Sequence, residues 1–234
     1  MKKYLIIALA ALTAASCIKG EPFLVRDFVS GYIVDGTLNT DSGLKYHIEK
    51  TQVNVEAKAE DRVFVLCDVM QQTGSSETEY DVKLLDYVIP LNKTPLTWSA
   101  VTDWDAVGSD PVALDKTMSW FSGGFLNSRL VFYYKEGSKT EHVMNLVYDD
   151  VNSTSDSLFF QLRHNAKGET WGADGCTIYN CAPGAGYATF PIDALVPAGK
   201  EEVGVKVSWT WYKFEGTEDT TTQTCSITGT YHKR

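Results

Sequence analysis

The sequence predicts an all-β fold, a small OB-type barrel followed by an antiparallel, Ig-like β-sandwich, and three observations carry the prediction. Runs of Val, Ile, Leu, Phe and Tyr recur at strand length between Gly-, Asp- and Ser-rich breaks along almost the whole chain. From Val203 to Trp211 the alternation is strict: Val203, Val205, Val207, Trp209 and Trp211 against Gly204, Lys206, Ser208 and Thr210, one buried face and one wet face. No heptad and no internal repeat appears, and the longest helical run lies in the first sixteen residues.

Those sixteen residues have the layout of a secretory signal. Lys2 and Lys3 supply a positive start, 4–12 is an apolar run, and Thr13, Ala14, Ala15 and Ser16 lead to Cys17. The run is too short to span a bilayer as a helix. A thiol directly after small residues is where bacterial lipoprotein signals receive a diacylglyceryl group, so Cys17 is the expected lipidation site and mature N-terminus. Two or three acyl chains on one residue give stable anchoring.

Removing residues 1–16 takes two lysines with it. It leaves 218 residues with 19 basic and 30 acidic side chains, a net charge near -11. That balance argues against nucleic acid, whose phosphates need clustered Lys and Arg, and against adhesion to anionic lipid by charge alone. An apolar content of 44% is ample for a core.

In order, residues 18–27 read as a tether. Strands are expected over 28–38, 44–49, 61–70 and 80–91, and four strands with short turns suit a small closed barrel over 28–93. In the third run Val63, Val65, Cys67 and Val69 share one face and Phe64 and Leu66 the other, so both faces are buried. Residues 94–120, with Pro95, Trp98, Trp104 and Pro111, read as a linker with a helical turn near 103–107. The sandwich, 121–234, draws on strands over 128–135, 140–148, 157–165, 187–192, 202–214 and 223–232. In 157–165 Leu158, Phe160 and Leu162 face inward.

Motifs of known chemistry are sparse. The chain has no Gly-x-Ser-x-Gly elbow, no His-Glu-x-x-His, no phosphate loop and no dinucleotide fingerprint. Cys67 and Cys225 fall on apolar faces and read as small buried residues. Cys176 and Cys181 flank four residues in a Gly- and Pro-rich stretch, where a local disulfide is geometrically easy. A zinc site of Cys176, Cys181 and His164 fits poorly, because the spacing is wide and the compartment oxidising. The oxygen-rich stretch 149–156 lacks the ordered alternation of a calcium loop and reads as a solvated acidic turn. Ser122, Gly123 and Gly124 form a turn. Arg163, His164 and Asn165 close a strand: either a ligand or base group, His164 working with Asp156 or Glu169, or hydrogen-bonding caps on the following loop. Trp98, Trp104 and Trp171 are wedged into interfaces or displayed for sugar stacking.

Several stretches together carry a resemblance. The small residues ending in Cys17, Glu60-Asp61-Arg62-Val63-Phe64-Val65, His142-Val143-Met144-Asn145-Leu146-Val147 and Leu158-Phe159-Phe160-Gln161-Leu162-Arg163-His164-Asn165 resemble the NigD-like lipoproteins of Bacteroidetes. The resemblance implies an OB-type N-terminal domain and a C-terminal β-sandwich, and defines no catalytic residue. Its bacteriocin-operon name implies an immunity or envelope-binding role. Cys17 is not followed directly by the acidic cluster that resembles a surface-export signal, so the expected address is the outer membrane, periplasmic face. The expected partners are that membrane through the lipid, and an envelope protein or glycan. The expectation is a binding or accessory module without enzymatic activity, metal or cofactor.

Overall fold

The computed structural model describes residues 25–73, 75–172, 176–177, 180–213 and 219–233. The signal peptide and Cys17 lie outside the described residues.

Five strands form the first unit: β1 (Val25–Val34), β2 (Thr37–Thr40), β3 (Lys45–Thr51), β4 (Arg62–Gln72) and β5 (Glu79–Val88). They close into a barrel in the order β1-β2-β3-β5-β4, with β4 pairing back onto β1 and β3 running parallel to β5. That order and the single parallel pair are the OB topology. The expected strand 28–38 is two strands, because Asp35 and Gly36 take φ of 49° and 75° and make the tight hairpin turn that an Asp-Gly pair favours. Strand β4 is buried on both faces. Val63, Val65 and Cys67 fill the barrel with Leu38, Tyr46, Val82 and Leu84, while Phe64 faces the second unit.

The second unit takes up the rest of the chain. Its strands are β6 (Leu91–Asn92), β7 (Leu96–Thr97), β8 (Ala113–Ser122), β9 (Phe125–Lys135), β10 (Val143–Tyr148), β11 (Ser157–Asn165), β12 (Cys181–Pro191), β13 (Glu202–Tyr212) and β14 (Thr222–His232), with one helical turn, α1 (Trp104–Val107). They form a five-stranded sheet, β14-β13-β11-β10-β7, packed on a four-stranded one, β6-β12-β9-β8. The inward alternation of β11 and β13 holds, with Leu158, Phe160, Leu162, Val203, Val205, Val207, Trp209 and Trp211 all in the core. Burying each such side chain contributes about 1.5–3 kcal/mol.

Two further features differ from the sequence reading. Residues 94–120, expected as a linker, belong to the sandwich. They supply β7, which pairs with β10, and most of β8, which pairs with β9. Short strands among Pro and Trp carry no legible alternation. The sandwich is also mixed rather than wholly antiparallel, since β11 and β13 run parallel. The chain leaves for the other sheet as β12 between them, and returns in the same direction.

Barrel and sandwich meet across a buried polar junction at the start of β4. The Arg62 guanidinium is fully buried. It is bidentate on Asp41, with Nη1 donating at 2.9 Å to Oδ1 and Nη2 donating to Oδ2, and it also donates to Asn127 Oδ1 (3.0 Å) and Thr189 Oγ1 (3.1 Å) of the sandwich. Ser30 and Ser122 each donate to Asp41 Oδ2 at 2.6 Å. Burial pushes the Asp41 carboxyl up, but the bonds from Arg62, Ser122 and Ser30 and the Arg62 charge outweigh it and leave the pKa below the usual value. Gly123, in the β8–β9 turn at φ 60°, makes room for this pair, because a Cβ there would stand 2.3 Å from Asp41 Oδ1. Beside the junction Phe28, Phe64, Trp120 and Tyr187 pack ring on ring.

Candidate functional site

Alternation in β11 sends the three residues at its end in different directions. His164 points inward and is 1% exposed, while Arg163 and Asn165 face outward. All three hold the segment 98–111, which lies across the outer face of the five-stranded sheet. The Arg163 guanidinium sits 5.2 Å over the Trp104 ring and 5.9 Å from that of Trp98, and Nη1 donates to the Gly108 carbonyl at 3.4 Å. His164 Nδ1 bonds the Pro111 carbonyl at 2.9 Å. Asn165 Nδ2 donates to the carbonyls of Asp105 (2.8 Å) and Ala106 (3.2 Å), backbone acceptors that a short helix leaves open. The triplet therefore clamps a segment that precedes it in sequence. Its bond to the following loop reduces to Asn165 Oδ1 accepting from the Lys167 N–H at 3.0 Å. Trp98 and Trp104 lie 4.4 Å apart, centroid to centroid, half-buried against each other. Trp171 packs on Tyr133.

Inside the sandwich, His164 reaches Glu169, one of the two acids expected beside it, through His142, which the sequence did not place there. Its Nε2 lies 3.0 Å from His142 Nδ1, and His142 Nε2 lies 3.4 Å from Glu169 Oε2. A carbonyl only accepts, so His164 carries its proton on Nδ1 and presents a bare Nε2. His142 Nδ1 must then donate, and its Nε2 faces the Glu169 carboxylate. Burial pulls His164 down to about 4. Bonds from Ser138 and Thr140, with further ones from the Lys135 N–H and His142, hold Glu169 at about 2. The register pairs Met144 with His164, and His142 stands two residues before Met144, beside His164.

His142 alone of the three forms part of the wall of an apolar cleft of about 520 Å³, which Leu91, Phe132, Tyr134, Met144 and Gly186 also line. Phe132 lies against both imidazoles, at 5.3 and 5.7 Å. Gly184 and Gly186 of β12 leave the cleft open, and a Cβ on Gly184 would press on Tyr134 at 2.9 Å. Cys176 and Cys181 are joined as a disulfide at the start of β12.

The other sequence candidates lie elsewhere. With both thiols in a disulfide, Cys176 and Cys181 offer no thiolate for zinc. Among the described residues no group of three His, Cys, Asp or Glu side chains is placed to hold a metal. Asp149 is occupied by Asn152, Asp150 by Ser99, and Asp156 pairs with Lys200 at 2.6 Å, so Asp156 is no partner for His164. Cys67 is buried and free, its thiol pushed up to about 12 by burial and then by Asp27 and Asp68. Cys225 is free and half-buried. Among the described residues no helix is long and apolar enough to cross a membrane.

An OB-type barrel joined through a buried ion pair to a β-sandwich, with His142 and His164 bonded within the fold, defines a two-module all-β protein. The model of the NigD-like C-terminal beta sandwich domain matches residues 95–224, more than half of the chain, and the chain belongs to the NigD-like family. That family is described by its fold, not by a reaction. Solved structures agree. A NigD-like immunity protein from Bacteroides caccae is similar at TM-score 0.57 and 19% identity, over 89% of this chain and 92% of that one. A candidate toxin-related protein from Parabacteroides distasonis is similar at 0.60 and 21%, over 88% and 93%. A candidate lipoprotein from Bacteroides fragilis is similar at 0.60 and 13%, over 89% and 99%. At these identities the likeness is one of fold. No curated protein matches the chain.

Proposed function

We propose that the chain is a non-enzymatic binding or accessory protein of the cell envelope, acylated on Cys17 and held at the periplasmic face of the outer membrane. The observation that carries this reading is the bonding of the His164–His142–Glu169 relay. Both nitrogens of both imidazoles are engaged within the fold, and among the described residues no hydroxyl or thiol nucleophile lies among the partners of either ring. A general base needs a free nitrogen within hydrogen-bond reach of a substrate proton. The short run before Cys17 and the B. fragilis relative described as a candidate lipoprotein support the anchor. The description of the B. caccae relative favours immunity as the form that binding takes.

The test has two arms. Mass spectrometry of the native protein from a Bacteroidales host should find acyl chains on Cys17, and Cys17→Ser should move the protein from the membrane to the soluble fraction. Purified residues 18–234 should leave a panel of glycans and peptides uncut. Turnover abolished by His142→Ala would sink the non-enzymatic reading.

A further inference from the structure

The outward face of the five-stranded sheet is covered on its β7–β10 side by residues 98–111 and is open on its β13–β14 side. Between the two runs a groove made of two depressions, of about 180 and 280 Å³, which share Gln161, Ser208 and Thr224 and so form one trough. Ser109 and Asp110 stand on one bank and Ser226 of the edge strand on the other.

At the covered end lies an electrostatic anomaly. Arg163 lines the trough, and among the described residues no carboxylate stands within ion-pair distance of it. Its Nε is buried without an acceptor, and its one hydrogen bond is the long one to Gly108. Burial lowers its pKa, as expected of a cation that has lost water and gained no counter-charge. The two Trp rings hold the guanidinium rigidly, and beyond the Nη1 bond to Gly108 no acceptor among the described residues takes its other donors. In a chain of net charge -9 this cation is conspicuous, and at the far end of the trough Lys206 stands with Asp149, which Asn152 occupies.

We propose that this trough binds an acidic oligosaccharide, with a sugar carboxylate on Arg163 and ring hydroxyls on Asp110, Gln161, Ser208 and Thr224. A guanidinium fork matches a carboxylate in two parallel bonds. Asp110 spends one oxygen on the Ala166 N–H, leaving the other as an acceptor for a hydroxyl. The floor of hydroxyls and an amide matches polyhydroxylated rings. An extended peptide would instead require pockets for alternate side chains. The proposal rests on the binding reading above and gives it a ligand class and a site separate from the apolar cleft.

Affinity electrophoresis and calorimetry with residues 18–234 test it, using polygalacturonate, alginate and hyaluronan against dextran and laminarin. At least one acidic polymer should bind, more weakly as salt rises, and neutral polymers should not. Arg163→Gln should weaken binding at least tenfold. Thr224→Trp, on an exposed edge strand away from the clamp, should block the trough while the thermal transition stays unchanged. No binding by any acidic polymer, equal binding of neutral ones, or binding indifferent to Thr224→Trp would overturn the assignment. Shortened chains released from a bound polymer would instead refute the non-enzymatic reading and leave the ligand class standing.

Discussion

His164 is placed so that acid must unsettle it. Its bare Nε2 already accepts from His142 Nδ1, and protonation would set two N–H donors against each other 3.0 Å apart inside the sandwich. The sign follows from linkage. In the unfolded chain His164 takes a proton near the ordinary histidine value of 6.5, whereas in the fold it resists until about 4. Between those values the unfolded state binds more protons, so stability falls as pH drops from about 6.5 to 4, by on the order of 3 kcal/mol for this group. Glu169, held at about 2 against an ordinary glutamate value of 4.5, extends the loss below pH 4.5. Urea midpoints measured from pH 7 to 4 should decline, and His164→Gln should flatten that decline while lowering the midpoint at pH 7. At this scale the sequence was half legible. His164 stands out because it ends an alternating strand. Its partner His142 lies 22 positions earlier and becomes visible only once the β10–β11 register is known.

Among elements, the segment 98–111 has the least structure of its own and the most borrowed from others. One helical turn with a side-chain cap from Asp103 cannot hold itself, and what fixes it is the clamp from the end of β11. Gly108 is the point of closest approach. Its φ of 79° and ψ of 172° suit glycine almost alone, and a Cβ would meet the His164 carbonyl oxygen at 2.3 Å. Gly108→Ala should therefore lower stability by about 2–3 kcal/mol. It should also loosen the Trp98–Trp104–Arg163 stack, seen as a shift in tryptophan emission. Replacing both Cys176 and Cys181 by Ser should cost no more than about 2 kcal/mol, because so short a loop adds little to the unfolded chain's entropy. Elements with a clear apolar pattern, the doubly buried β4 and the alternating β11 and β13, were legible in the residues. The strands β6 and β7 have two residues each, too few to show a period, and they are strands only because β12 and β10 offer them an edge.

For the molecule as a whole, the question is whether barrel and sandwich unfold as one body. Their junction is an Arg–Asp pair taken out of water, and such a pair seldom adds net stability over an apolar replacement, although breaking it is expensive. Here the pair is bridged to the sandwich by Asn127, Thr189 and Ser122, so its geometry is shared between the modules. Arg62→Met leaves Asp41 buried with two serine donors and no cation, and should cost about 3–5 kcal/mol. Arg62→Met with Asp41→Leu removes both charges and should recover much of that loss. The recovery measures the coupling as a double-mutant cycle. Calorimetry offers the discriminating readout. The native protein should melt in one transition, and Arg62→Met should split or broaden it, as the barrel, with the smaller core, opens ahead of the sandwich. A single sharp transition in Arg62→Met, shifted but unsplit, would place the coupling in the ring contacts of Phe28, Phe64, Trp120 and Tyr187 instead.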